Sequence, residues 1–211
     1  MAAQNFQVVH DFGPGEALRG ATVAIGNFDG VHRGHKAVIA AALARAGALG
    51  KPSAALTFEP HPRAFFDPNE PLFRLTPEDA KLRLLAAAGL DGAIVLTFNA
   101  ELAKLSAQDF VQRVLVDRFA ISGAAIGFNF HFGAKRAGSP EFLQAQGREH
   151  GFTVDIVPPL LDGGRNSPLH HSAAPQSPRA RHRCRVGAHK PDRAADWRSE
   201  IRAHAHACRR E

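Results

Sequence analysis

The sequence predicts an α/β protein in which a parallel sheet lies between two layers of helices. Short apolar runs alternate with longer segments of helical periodicity, and glycine or proline marks the ends of most segments. The runs lack the apolar–polar alternation of a half-exposed sheet, so their strands should be buried on both faces. Strands joined by helices imply right-handed crossovers, and ligands of such sheets bind beyond the carboxyl ends of the strands.

Five short apolar runs are predicted as the strands of this sheet, and a sixth run is a candidate edge strand. Each of the five is apolar on both sides, as buried parallel strands are. The five are Thr22–Ile25, Ala54–Phe58, Ala93–Thr97, Ala124–Ile126 and Thr153–Val157, and the edge strand is Phe6–Val9.

Four helices are predicted between the strands from their start and stop signals. The first is Lys36–Ala48, whose apolar residues recur at helical spacing before Gly50. In the other three a hydroxyl residue precedes the helix, which is a favoured N-cap arrangement. Their signals are Thr76-Pro77 with Gly89 as the stop, Ser106 with Asp109 in a capping-box arrangement, and Ser139 with Gly151 as the stop.

Charge and composition divide the chain near residue 162. Residues 1–162 carry 15 Lys and Arg against 16 Asp and Glu, a net charge of −1, whereas residues 163–211 carry 11 against 4, a net charge of +7. All 15 Phe lie at or before Phe152. We therefore predict a folded domain over 1–162 and a disordered basic tail over 163–211, because the tail has too few large apolar residues to offset its chain entropy.

Several functional classes are disfavoured by the same numbers. The two cysteines give no disulfide framework, no signal-peptide pattern opens the chain, and no apolar run is long enough to span a bilayer. We expect a cytoplasmic protein with no membrane partner. The domain gives no reason to expect nucleic-acid binding, although the arginines of the tail could attach RNA without sequence specificity. The oligomeric state is not indicated.

The segment after the first of the five strands carries most of the functional information. Residues 26–35 read Gly-Asn-Phe-Asp-Gly-Val-His-Arg-Gly-His. His32 and His35 share one face at the start of a helix, where backbone N–H groups and the helix dipole favour anions. Gly34 lets a ligand approach the backbone closely. The pattern predicts a polyphosphate site in which imidazoles stabilise the charge that develops in phosphoryl transfer.

Two other interpretations of the histidines remain open from the residues alone. They could be ordinary surface histidines in a turn. They could also bind zinc with Asp29, although zinc normally takes three or four ligands and no cysteine is near.

Residues 26–35 resemble the signature of the nucleotidylyltransferase superfamily. More narrowly, they resemble the FMN adenylyltransferase (FAD synthetase) module of bacterial bifunctional riboflavin kinase/FAD synthetases. Two further segments match that module in the same order: residues 57–62 (Thr-Phe-Glu-Pro-His-Pro), and residues 127–133 (Gly-Phe-Asn-Phe-His-Phe-Gly) followed by Arg136 and Gly138. The resemblance covers roughly residues 20–162 and implies a three-layer Rossmann-like fold of the nucleotidylyltransferase type.

The resemblance also implies an activity and a set of site residues. AMP would pass from ATP to FMN, giving FAD and pyrophosphate in flavin cofactor biosynthesis, with Mg²⁺ arriving on ATP and no metal held by the protein itself. Phe65 and Phe66 would flank the isoalloxazine ring or belong to the core. The catalytic residues would be His32 and His35, the ATP-binding residues Gly26, Asn27, Phe28, Gly34 and Asn129, and the FMN-binding residues Pro60, His61 and Pro62.

The chain departs from the family pattern after the predicted strand Thr153–Val157. The family has a Ser/Thr-rich segment ending in Arg that closes over the triphosphate, and then a riboflavin-kinase barrel. The chain instead continues from Arg165 without a match, so we expect no kinase activity and interpret residues after about 165 as a frameshift product or a sequencing artefact. An inactive nucleotide- or flavin-binding module, or another adenylyl- or cytidylyltransferase of the same superfamily, are the alternative functions.

Overall fold

The computed structural model describes residues 6–11, 18–67, 73–162 and 165–166, and its main element is a six-stranded sheet. All neighbouring strands of this sheet are parallel, in the order β1-β4-β3-β2-β5-β6. The predicted α/β class with a parallel sheet is confirmed, and the edge strand lies one residue later than predicted. The strands are β1 (Gln7–His10), β2 (Thr22–Ile25), β3 (Ser53–Glu59), β4 (Gly92–Thr97), β5 (Gly123–Gly127) and β6 (Thr153–Val157).

Helices connect the strands, and single 3-10 turns lie at Asp29–Val31 and Ala134–Arg136. Helix α1 begins three residues before the predicted start, because the His32 side chain caps it by accepting a hydrogen bond from the backbone of His35. The helices are α1 (Arg33–Leu49), α2 (Pro62–Phe66), α3 (Glu78–Ala87), α4 (Ala100–Lys104), α5 (Ala107–Asp109) with a π-helical continuation over Phe110–Arg118, and α6 (Pro140–His150).

The prediction that Thr76 caps α3 is wrong. Pro77 occupies the cap position without a side-chain hydrogen bond, and the Thr76 hydroxyl bonds instead to Asp29 and to the backbone of Gly30. The predicted N-caps at Ser106 and Ser139 are confirmed, although the Asp109 carboxylate bonds to the Ser106 hydroxyl and not to its backbone N–H as in a capping box. Ser106 accepts from the Asp109 backbone at 3.0 Å and donates to its carboxylate at 2.6 Å, and Ser139 accepts from the backbone of Phe142.

The two faces of the sheet are packed differently. Four alanines lie in register across β4, β3, β2 and β5 and face α1 and α3, whose residues complete that core cluster. Larger side chains such as Ile25 and Leu56 point to the opposite face, where the α5 segment and α6 cover them. Small residues in register let α1 and α3 pack close to the sheet, so the start of α1 is held directly against the strand ends.

The order of the strands sets the position of the predicted site. From β2 the chain moves through β3 to β4 on one side, and it returns to β5 and β6 on the other. A reversal of this kind leaves a crevice beyond the carboxyl ends of the two strands concerned, here β2 and β5. The three sequence motifs follow β2, β3 and β5, which are neighbours in the sheet, so they share one edge.

The described chain ends in a two-stranded antiparallel hairpin of β7 (Leu161–Asp162) and β8 (Arg165–Asn166). Arg165–Asn166 therefore lie in regular structure beyond the domain boundary predicted at residue 162. The rest of the predicted tail, and with it the frameshift hypothesis, lies outside the described residues. None of the helices that the structure describes has both the length and the apolarity to cross a membrane.

Two adjacent leucines of α3 test which face of that helix contributes to the stability of the fold. Leu85 is 0% exposed and Leu84 is 41% exposed. Leu85→Ala should lower the free energy of unfolding by about 3 kcal/mol, because it removes buried apolar contacts and leaves a cavity. Leu84→Ala, the matched control, should lower it by less than about 1 kcal/mol. Equal losses in urea denaturation would contradict this packing.

Candidate functional site

The turn between β2 and α1 is built on backbone conformations that side chains rarely adopt. Phe28 has a φ of 52° and Val31 a φ of 38°, both in the left-handed region, and Gly30 between them has a φ of 71°. Such conformations cost about 1–3 kcal/mol each for a residue with a side chain. Phe28 is fully buried and Val31 nearly so, and their burial in the core offsets this strain.

The turn brings the two predicted catalytic histidines together. The rings of His32 and His35 are stacked, with centroids 3.6 Å apart and an interplanar angle of 22°, and His35 meets the buried Phe28 edge-on at 5.3 Å. The Nδ1 atom of His32 accepts a hydrogen bond from the His35 backbone at 3.3 Å, so the ring proton lies on Nε2. That N–H is the group that would donate to a phosphate oxygen.

Gly34 fits this pair of rings for a reason the sequence did not reveal. A Cβ at Gly34 would lie 3.1 Å from the His32 ring, tighter than ordinary van der Waals contact. The glycine therefore leaves room for the stacked imidazole as well as for any ligand, and a larger residue would press on His32.

Asp29 fastens the turn to the segment that enters α3. Its carboxylate accepts hydrogen bonds from the backbone of Leu75 at 3.1 Å and Thr76 at 2.8 Å and from the Thr76 hydroxyl at 2.9 Å. Burial, the largest single influence, raises the pKa of Asp29, but these hydrogen bonds together hold that pKa below its ordinary value. The Leu75 side chain lies over Gly30, where a Cβ would come within 2.8 Å of it.

The predicted flavin-side loop follows β3 and contains a cis peptide bond between Glu59 and Pro60. The Nδ1 atom of His61 accepts from the Arg63 backbone at 3.1 Å and caps α2, so this ring too carries its proton on Nε2. Burial lowers the pKa of His61, and the neighbouring Asp29 carboxylate opposes that shift without cancelling it. His61 is therefore a neutral hydrogen-bond donor at physiological pH.

A buried charge network that sequence reasoning missed lies between the two loops. The Lys81 ammonium donates to the Glu59 carboxylate at 2.5 Å, to the Thr57 hydroxyl at 3.2 Å and to the backbone carbonyl of Asn27 at 3.3 Å. Arg74 is a second ion-pair partner of Glu59. Lys81 falls on the apolar stripe of α3, four residues before the buried Leu85 and seven before the buried Ala88 at the end of the helix, and this spacing was the signal for it.

An aromatic cluster with two exposed rings and one partly buried ring lies beside the flavin-side loop. Phe65, Phe66 and Phe98 contact one another edge-on with ring centroids 5.4–5.6 Å apart. Phe66 is 63% exposed and Phe65 is also exposed. The alternative that both belong to the core is therefore wrong, and their surfaces are open to a planar ligand.

The third motif follows β5. Asn129 is exposed in the turn after that strand, and its backbone carbonyl bonds to the His131 ring at 3.1 Å. The pairing of β5 with β2 sets this turn next to Gly26, across the crevice between the two strands. The proposed contact of Asn129 with ATP stays a prediction.

The zinc alternative gains no support from this arrangement. The Asp29 carboxylate, which would be the third ligand of the zinc ion, accepts hydrogen bonds from Leu75 and Thr76. Among the residues that the structure describes, no group of three or more His, Cys, Asp or Glu is placed to hold a metal ion.

The structure defines a parallel α/β domain that carries a stacked histidine pair at the start of the helix connecting β2 to β3. Residues 15–167 match the sequence model of the family described as FAD synthetase. The chain belongs to the FAD synthetase family, as its motifs indicated.

Relatives with assigned names are similar to this chain over the same region. The bifunctional riboflavin kinase/FMN adenylyltransferase of Pseudomonas fluorescens is 46% identical over 153 residues, which are 71% of this chain and 48% of the relative. The protein of the same name from Escherichia coli strain K12 is 37% identical over 145 residues, covering 69% and 46%. The chain thus spans about half the length of the curated relatives it matches.

A solved structure shares the fold. The crystal structure of a macrolide-efflux protein from Streptococcus pneumoniae has a TM-score of 0.63 and 23% sequence identity to this chain, and the match covers 75% of this chain and 53% of that one. At this identity the likeness concerns the fold alone.

The bonds to Asp29 predict how stability depends on pH. A lowered pKa in the folded state means that the Asp29 carboxylate stabilises the fold above its ordinary pKa of 3.8. This contribution is lost as the pH falls through the lower folded-state pKa. Asp29→Asn should therefore be less stable than the parent at pH 7, and the difference should shrink toward pH 3 in urea denaturation. A gap that stays constant or widens in acid would contradict the assigned bonds.

Proposed function

We propose that this chain is an FMN adenylyltransferase, which transfers AMP from ATP to FMN and releases FAD and pyrophosphate. The observation that carries the proposal is the stacked pair of His32 and His35 at the start of α1, beside a flavin-type loop on the next strand. Family membership and the names of the relatives support the same reaction.

The chemistry needs no covalent intermediate on the protein. A phosphate oxygen of FMN attacks the α-phosphorus of ATP in line, the new P–O bond forms, and the bond between the α-phosphorus and the bridging oxygen breaks. The bridging oxygen leaves with pyrophosphate and takes up the negative charge. Catalysis of such a step rests on positioning and on stabilising the charge of the transferring group.

Within this reaction, His32 and His35 act on the polyphosphate. Their N–H groups lie at the N-terminus of a 17-residue helix, whose backbone dipole also favours an anion. Donors fixed in place before the reaction stabilise developing charge without reorganising. The stacking of the two rings on each other, together with the edge-on contact of His35 with Phe28, supplies that rigidity.

The remaining predicted residues divide between the two substrates. The nucleotide would lie along the turn after β2, against Gly26, Asn27, Phe28 and Gly34, with Asn129 across the crevice. The flavin would lie against Pro60, His61 and Pro62, and the aromatic cluster of Phe65, Phe66 and Phe98 would take one face of the isoalloxazine ring. The neutral His61 can donate a hydrogen bond to FMN without adding charge.

Magnesium belongs to the substrate in this proposal. It enters as MgATP, held mainly by phosphate oxygens and water, which is how proteins commonly bind this ion. Asp29, a carboxylate within the turn, accepts hydrogen bonds from the backbone of Leu75 and Thr76. The residues of the site therefore fit a metal that arrives bound to ATP.

The direct test incubates the full chain with ATP, Mg²⁺ and FMN and follows FAD and pyrophosphate. Formation of both in equal amounts is the expected result. FMN binding without FAD would identify an inactive flavin-binding module, and product formation from CTP but not ATP would identify a cytidylyltransferase. Either result would overturn the proposal.

Replacement of the first histidine should affect the rate far more than the fold. His32→Ala should lower kcat for FAD formation by about 10²–10³-fold, because it removes a preorganised donor. His150→Ala is the matched control, since His150 ends α6 at the opposite edge of the sheet. The midpoint of thermal unfolding should shift little in the control and by only a few degrees in His32→Ala. A His32→Ala enzyme with the parent rate would remove this residue from the mechanism.

The aromatic cluster should bind the flavin. Phe66→Ala should raise the Kd for FMN about fivefold, the loss expected for one ring contact, while stability stays unchanged because Phe66 is exposed. Quenching of FMN fluorescence measures the Kd. The control Leu49→Ala removes an exposed apolar side chain at the far end of α1 and should leave binding unchanged. Equal affinity of parent and Phe66→Ala would exclude the cluster from the flavin site.

A further inference from the structure

We propose that Lys81 is a positioning residue for adenylyl transfer. It fixes the turn after β2, where the nucleotide would lie, relative to the flavin-side loop. This inference rests on the proposed function. Lys81 lies in α3, outside the three sequence motifs, and it is only 3% exposed.

The Lys81 ammonium has a complete set of partners. It carries three N–H donors, and the structure assigns each an acceptor: the Glu59 carboxylate, the Thr57 hydroxyl and the Asn27 carbonyl. Burying a cation is unfavourable unless it is paired and fully hydrogen-bonded, and both conditions are met here. One position therefore satisfies all three donors, and the ammonium is held at that point.

The three acceptors come from the turn after β2 and from the end of β3, the strand that leads into the flavin-side loop. Asn27 lies in the turn after β2, whereas Thr57 and Glu59 lie at the end of β3, and Glu59 directly precedes the cis proline. The Thr57 hydroxyl also donates to the Asn27 carbonyl at 3.2 Å, so the two loops meet at the ammonium. A shift of either loop would break a hydrogen bond to a buried charge.

Such a connection matters for the rate because in-line transfer depends on alignment. A displacement of about 1 Å between reacting groups can lower a rate about 100-fold. Each loop keeps its own substrate contacts when Lys81 is removed, so binding of each substrate alone should change little. The expected signature is a fall in kcat with the two KM values nearly preserved.

Removal of the ammonium is the first test. Lys81→Met replaces the ammonium with an unbranched apolar side chain that is one atom shorter, and Arg74 remains to pair with Glu59. We expect kcat for FAD formation to fall at least about tenfold while KM for ATP and for FMN each change less than about threefold. The control is Arg45→Met, which breaks an ion pair to Asp155 between α1 and β6 and should leave the kinetics unchanged. An unchanged kcat, or a change confined to KM, would overturn the proposal.

A milder pair of variants covers the case in which Lys81→Met does not fold. Thr57→Val removes the hydroxyl that joins Lys81 to Asn27, and Thr22→Val is its matched control. Both threonines are fully buried in neighbouring strands, but Thr22 lies at the amino end of β2 and contacts Ser122. We expect Thr57→Val to lower kcat about threefold or more and Thr22→Val to leave it unchanged. Equal kinetics in the two variants would overturn the proposal.

Hydrogen exchange separates this inference from the proposed function. If the parent chain makes no FAD, the adenylyltransferase assignment fails, and the connection is judged by amide exchange alone. In Lys81→Met, or in Thr57→Val if the former does not fold, the amides of 26–31 and 59–64 should both exchange faster than in the matched control. Exchange that is unchanged in both segments, or faster in only one, would overturn the role assigned to Lys81.

Discussion

The turn after β2 is the constraint on which the site depends. The chain must reverse between the end of a buried strand and the start of α1, and it does so with Phe28 in a left-handed conformation. That conformation is held because the Phe28 ring is buried against the core of α1 and α3. The same ring contacts His35, and His35 stacks on His32, so core packing sets the position of both histidines.

Helix α3 and the segment before it join the turn after β2 to the end of β3, although neither belongs to a motif. Asp29 of the turn holds the backbone of Leu75 and Thr76, while Lys81 holds the end of β3. Polar groups in these contacts are paired with backbone or with opposite charge, which makes them favourable in a partly buried setting. The geometry of the site is therefore set by contacts more than twenty residues apart in sequence.

The sequence was sufficient for features that local chemistry determines. The positions of the five strands, the N-cap at Ser106 and the pairing of the two histidines follow from periodicity, capping and spacing, although β6 is a half-buried edge strand and not a fully buried one. The sequence was insufficient where a residue distant in the chain determines which group a side chain contacts. Thr76 has the chemistry of an N-cap, but its hydroxyl donates to Asp29, 47 residues earlier. The spacing of α3 places Lys81 on the buried face, but its ion pair with Glu59, 22 residues earlier, has no local signal. The π-helical turns of Phe110–Arg118 have no local signal at all.

We propose that the two stacked imidazoles, beyond the carboxyl ends of β2 and β5, bind the polyphosphate of ATP. A crystal structure of the full chain with Mg²⁺ and a non-hydrolysable ATP analogue measures this directly. We expect phosphate oxygens within hydrogen-bond distance of His32 Nε2 and in contact with the His35 ring, with the adenosine in the crevice between β2 and β5. A polyphosphate that contacts neither ring would contradict this role of the histidines.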